Sequence, residues 1–220
     1  MKLTEYQLTG MTYTGSKKKT RCIGITGGVG SGKSSVLEHL RKTTGCRVFC
    51  SDEEAKKLYI PGSAVFDRII KEAGRDVLNE DGNIDKERFA AKLFGDSSLR
   101  ERINAIVHPA VEEMIFDNMA LERAAGKRDY FFVEAALLIE CGYEAYLDEL
   151  WYVYASEDTR RQRLKESRGY SDEKIQDIFD SQLSDKEYRK HCQRIIDNDG
   201  SPEEMRRSVD NIIKEEMYNK

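Results

Sequence analysis

Gly27-Gly28-Val29-Gly30-Ser31-Gly32-Lys33-Ser34 carries four residues of fixed type at the spacing G-x-x-x-x-G-K-[ST]. That spacing has a mechanism. Glycines let the backbone curl around an anion with several N–H groups pointing inward. A lysine at the seventh position reaches β- and γ-phosphates, and the hydroxyl after it meets Mg²⁺. A helix that begins there adds its positive end to the site. The residues expected to hold ATP are therefore Gly28, Val29, Gly30, Ser31, Gly32, Lys33, Ser34 and Ser35. Chance supplies such a motif in about 1% of chains of this length. The context is also right: Cys22-Ile23-Gly24-Ile25-Thr26 suits a buried parallel strand, and Val36, Leu37 and Leu40 have helical spacing after the loop.

Three further groups can do chemistry. Asp52 falls at the end of a second apolar run, at the carboxyl edge where open α/β sheets bind ligands. It can accept a hydroxyl proton or orient metal-bound water; as an acid at a helix start, it can equally serve as a cap. Tyr130-Phe131-Phe132-Val133-Glu134 is an apolar strand ending in an acid, and Glu134 can hold Mg²⁺ through water. Thr159-Arg160-Arg161-Gln162-Arg163 brings guanidinium groups together, with Arg168 following. Beside a phosphate loop these fit a lid that neutralises transferring charge, led by Arg160 and Arg163; a solvated helix face paired with Glu166 is the alternative.

The elements that must position these groups alternate as in an α/β fold. Strands are expected at 21–26, 46–51, 130–137, 149–155 and 194–197. About 80 residues separate the second and third, too many for a simple crossover, so a helical subdomain is inserted there. Within it, a helix is expected to start after His108-Pro109 and to run to about Ala125. Two helical segments, broken at Ser167–Ser171, follow the fourth strand. Ser201, Pro202 and Glu204 form a capping box for the last helix. The expected organisation is a flexible extension over 1–20 and a single domain over 21–220. Its core comprises 21–60, 127–155 and 193–220, with the insertion at 61–126 and a lid at 156–192.

Composition narrows the function classes. Of 220 residues, 39% are hydrophobic and 35% charged, with 36 basic and 40 acidic side chains, a net charge of −4. That balance disfavours non-specific binding to nucleic acid or membrane, and no apolar run approaches the length of a bilayer span. Five scattered cysteines, none in C-x-x-C, fit reduced thiols in a cytoplasm. No heptad seam or large apolar surface helix is evident, which favours a monomer without fixing the oligomeric state. A GTP switch would need an N-K-x-D loop, and none is present.

Several segments match one family in order and spacing from about Arg21 onward. They are Ile23 to Ser34; Ser51-Asp52-Glu53-Glu54-Ala55-Lys56; His108-Pro109-Ala110-Val111; Leu137-Leu138-Ile139-Glu140; Arg163-Leu164; Gln182; and Ile196-Asp197-Asn198-Asp199-Gly200. Together they resemble the dephospho-coenzyme A kinase family. The resemblance implies a P-loop α/β/α core of about five parallel strands with a helical acceptor-binding insertion and a helical lid. It implies ATP-dependent phosphorylation of the ribose 3′-hydroxyl of dephospho-coenzyme A, with Mg²⁺ accompanying ATP. By the same resemblance Asp52 is the base, Lys33 binds phosphate, His108 and Glu140 lie with the acceptor, and Asn198 lies near the adenine. The sequence departs from the pattern at Cys50, where the family carries an aspartate. It departs also at Glu134 (aspartate), Ala136 (proline), Ser167 (arginine) and Ser35 (threonine).

Overall fold

The computed structural model describes residues 20–135 and 137–218. The proposed extension up to residue 19 and the departure at Ala136 lie outside the described residues. Thr20, placed in the flexible extension by sequence, is instead buried, its hydroxyl 3.1 Å from the Glu122 carbonyl and 2.8 Å from that of Arg128.

Five strands form one parallel sheet: β1 (Arg21–Thr26), β2 (Cys46–Cys50), β3 (Tyr130–Glu134), β4 (Glu149–Tyr154) and β5 (Arg194–Asp197). Their order is β2-β3-β1-β4-β5. The order reverses at β1, so the loop leaving β1 opens into the crevice where such sheets bind ligands. Register aligns Glu134 with Ile25 on one side and Cys50 on the other, which sets three strand ends side by side. β3 stops three residues short of the expected 137. The chain turns there instead, the Cys141 N–H bonding the Leu137 carbonyl over 2.9 Å while Leu138 enters the core.

Helices cover both faces of the sheet. α1 (Lys33–Lys42) places Val36, Leu37 and Leu40 against Ile23, Ile25, Phe132 and Trp151. Two short pieces follow β2: α2 (Ser51–Ala55), then α3 (Ala64–Ala73) beyond a 3₁₀ turn. α4 (Lys86–Gly95) and α5 (Ser97–Ala125) complete the insertion. Its own core joins Ile69, Val77, Phe89, Leu99, Ile103 and Val107.

Contrary to expectation, α5 runs unbroken through His108-Pro109. Proline in a helix interior costs about 3 kcal/mol through the lost N–H and the clash with the preceding turn. The stripe Ile103, Ile106, Val107, Val111, Ile115 and Met119 continues across it, and burying that many apolar side chains offsets the cost. The first half of α5 packs in the insertion, while Ile115 and Met119 pack on Phe131 and Val133 of the sheet.

The lid has three helices rather than two: α6 (Glu157–Arg168), α7 (Asp172–Asp180) and α8 (Asp185–His191). Leu164, Ile175 and Phe179 form its small core, with Val29 of the phosphate loop packed against it. α9 (Pro202–Tyr218) lies beside α1 and starts with the expected capping box. Ser201 N–H donates to Glu204 Oε2 over 2.8 Å, and Glu204 N–H to Ser201 Oγ over 3.3 Å. Among the described residues no helix is long and apolar enough to cross a membrane.

Candidate active site

β1 ends at Thr26 and α1 starts at Lys33, so the glycine-rich segment spans a strand-to-helix bend. Gly32 stands at the helix N-cap with φ 86° and supplies no side-chain cap. An added Cβ would also collide with Asn198 Nδ2, so glycine is required on two grounds. The Ser31 N–H closes the bend onto the Gly28 carbonyl over 3.2 Å. The N–H groups of Gly30, Gly32, Lys33 and Ser34 find no protein acceptor among the described residues. A cluster of free amides at a helix N-terminus is an anion cradle.

Lys33 Nζ donates to the Gly27 carbonyl over 2.6 Å and lies 3.4 Å from that of Gly28. Burial holds its ammonium below the usual lysine range, opposed by the nearby charges of Glu134 and Asp52. It is poised over the first half of the bend. Ser34 and Ser35 are exposed in the first turn of α1. Ser31 is buried, and among the described residues its hydroxyl has no partner.

Two lid arginines reach the loop and do different work. Arg160 Nε donates to the Val29 carbonyl over 2.9 Å, and its guanidinium lies 4.2 Å from the Phe179 ring centre. A side chain on Gly28 would strike that guanidinium. Arg163 instead donates to the Asn198 carbonyl over 2.8 Å and approaches the Ser31 carbonyl at 3.4 Å. Asn198, only 5% exposed, donates through Nδ2 to the same Ser31 carbonyl over 2.7 Å. Arg163 and Asn198 thus brace the loop from behind, while Arg160 overhangs its front. Arg168 is exposed, 5.8 Å from the Tyr170 ring centre.

On the other side of Lys33, Asp52 sits in the first turn of α2, just past the end of β2, and is exposed. It lines a cavity of about 320 Å³ with Tyr59, Asn104, His108, Leu137 and Tyr143. The structure therefore brings Asp52 and His108 together. It leaves Glu140 exposed and outside this cavity, because the turn after β3 directs Leu137 and Cys141 there instead. Asn104 was missed by sequence reasoning; one turn before His108 on α5, it is visible once the helix is carried through Pro109.

Glu134, 9% exposed at the tip of β3, accepts a hydrogen bond from Cys50 Sγ at 3.2 Å. Burial and this bond push the Cys50 thiol up to about 11, so it remains a protonated donor. Among the described residues no group of three or more His, Cys, Asp or Glu side chains can hold a metal. A Mg²⁺ carried by nucleotide phosphates needs only one or two protein contacts, and the buried Glu134 carboxylate and the exposed Ser34 hydroxyl have the right chemistry for them.

A 2-3-1-4-5 parallel sheet, a phosphate-type bend at the β1–α1 junction and an arginine-bearing lid define the class: a P-loop phosphotransferase fold. The Dephospho-CoA kinase family model matches residues 21–204, and the chain belongs to that family. It is 35% identical over 190 residues to a dephospho-CoA kinase of Geobacter sulfurreducens, which covers 86% of this chain and 95% of that protein. Among solved structures, TT1252 from Thermus thermophilus superposes with a TM-score of 0.69 at 29% identity, over 90% of this chain and 98% of that one. The dephospho-CoA kinase from Campylobacter jejuni shares the fold, with a TM-score of 0.66 at 21% identity over 89% of this chain and 97% of that one.

Proposed function

We propose that this protein transfers the γ-phosphoryl group of ATP to the ribose 3′-hydroxyl of dephospho-coenzyme A, giving coenzyme A and ADP. The observation that carries the proposal is the meeting of two sites. The free-amide cradle with Lys33 lies on one side, and the Asp52-lined cavity on the other, both acting on the same lysine.

Phosphoryl transfer asks for positioning and charge neutralisation more than for covalent help. The Gly30, Gly32, Lys33 and Ser34 amides bind phosphate oxygens. Lys33 and Arg160 oppose the charge that develops on the terminal phosphoryl group. Asp52 takes the proton of the attacking hydroxyl as the new O–P bond forms and the bond to the ADP oxygen breaks. His108 and Asn104 orient the acceptor from α5. Mg²⁺, held by Ser34 and through water by Glu134, would neutralise phosphate charge. Arg163 and Asn198 keep the loop in shape.

An ADP-release assay with purified protein, ATP and Mg²⁺ tests this proposal. Release should depend on added dephospho-coenzyme A and on no other sugar alcohol offered. ADP release indifferent to the acceptor would refute it.

A further inference from the structure

Val29 is held by the lid at both of its backbone polar groups. Its N–H donates to Gln182 Oε1 over 3.1 Å, and its carbonyl accepts from Arg160 Nε over 2.9 Å. Arg160 Nη2 donates to the same Gln182 Oε1 over 2.7 Å, which closes a three-membered ring of hydrogen bonds. Two donors converging on one carboxamide oxygen fix which way the amide faces.

Arg160 is half-buried on Phe179, and among the described residues no carboxylate lies within ion-pair distance of it. A desolvated guanidinium without an anion calls for one. The place of that anion follows from the loop. Helix-terminal amides hold the inner phosphates, and Lys33 Nζ, which serves the outer ones, lies over Gly27 and Gly28. The terminal phosphoryl group therefore falls at Gly28–Val29, beneath Arg160.

We propose that Gln182 is a positioning residue for phosphoryl transfer: its carboxamide oxygen ties Arg160 to the Val29 edge of the loop, so that the guanidinium meets the terminal phosphoryl group of ATP and ignores ADP. The inference rests on the loop binding the phosphates of ATP as set out above.

Calorimetric affinities for ADP and for a non-hydrolysable ATP analogue, measured with Mg²⁺, test it alongside turnover. Gln182→Ala should leave ADP affinity within about twofold, weaken the ATP analogue about fivefold or more, and lower kcat about tenfold or more at unchanged KM for the acceptor. Gln182→Glu keeps an oxygen able to accept both hydrogen bonds and keeps the side chain's size, but its charge cancels that of Arg160. It should lose the preference for the ATP analogue as the alanine variant does, while melting like the wild type.

A merely structural latch predicts the opposite: wild-type discrimination and rate in Gln182→Glu, or equal weakening of ADP and analogue in Gln182→Ala. Either result overturns the inference. Lys33→Ala reports on the loop separately. If it leaves ADP affinity intact, the phosphate site itself is misplaced, whatever Gln182 does.

Discussion

Cys50 Sγ donates to Glu134 Oε2 over 3.2 Å, joining the tips of adjacent strands β2 and β3 beside the phosphate loop. The Glu134 carboxylate therefore faces a neutral donor at Cys50 instead of a like charge. Cys50→Asp would set two carboxylates against each other, and both ionise only when a cation is shared. We expect the half-saturating Mg²⁺ concentration for ADP release to fall about threefold or more in this variant. A superimposable Mg²⁺ titration would argue that Glu134 does not face the metal.

Lys33→Ala should lower kcat/KM for ATP by about 10²-fold or more, because the half-buried ammonium is the cation held on the Gly27 and Gly28 carbonyls at the phosphate bend. Steady-state kinetics at saturating acceptor measures this, and a loss below tenfold would count against the assignment.

Asp52→Asn removes the proton acceptor yet preserves size and exposure. Turnover should drop by about 10²–10⁴-fold with KM for ATP little changed. Near-normal kcat would reassign Asp52 to helix capping, the role its place in the first turn of α2 also allows.

Asn104→Ala and His108→Ala act on one face of α5 in the acceptor cavity. Each should raise KM for dephospho-coenzyme A about tenfold and leave KM for ATP unchanged, since a lost polar contact costs about 1–2 kcal/mol. A rise in KM for ATP instead would place the acceptor elsewhere.

Stability should fall at alkaline pH. Burial raises Cys46 and Cys50 to about 11 and Cys192 and Tyr143 to about 12, from ordinary values of 9.0 for the thiols and 10.0 for the phenol. Between those limits the folded chain holds protons that the unfolded chain releases, so stability is intact below about pH 9 and declines as pH rises through 11 and 12. Urea unfolding at pH 8, 10 and 11 would show the slope, and Cys192→Ala should reduce it. A flat profile would contradict the burial of these groups.

The sheet was legible because its three central strands, β1, β3 and β4, are nearly continuous apolar runs, and four of the five strand ends fall within one residue of expectation. β3 ends before its apolar run does, because Ala135 and Leu137 keep the apolar character past the last ladder bond. Proline usually ends a helix, but the apolar stripe on both sides of Pro109 carries α5 through it. α8 was missed because Tyr188 is its one buried side chain.

The phosphate loop was readable because its chemistry needs contiguous residues. The roles of Gln182 and Cys50 were not, because their partners are 153 and 84 residues away in sequence. Arg163 and Arg160 look alike in sequence, and packing alone separates brace from overhang.

The Ser31 carbonyl is held by Asn198, just beyond the fifth strand, although Ser31 itself lies near the start of the domain. During synthesis the loop leaves the ribosome early and its clamp very late. A chain leaving the ribosome therefore carries every signature glycine well before the residue that clamps the Ser31 carbonyl has been made.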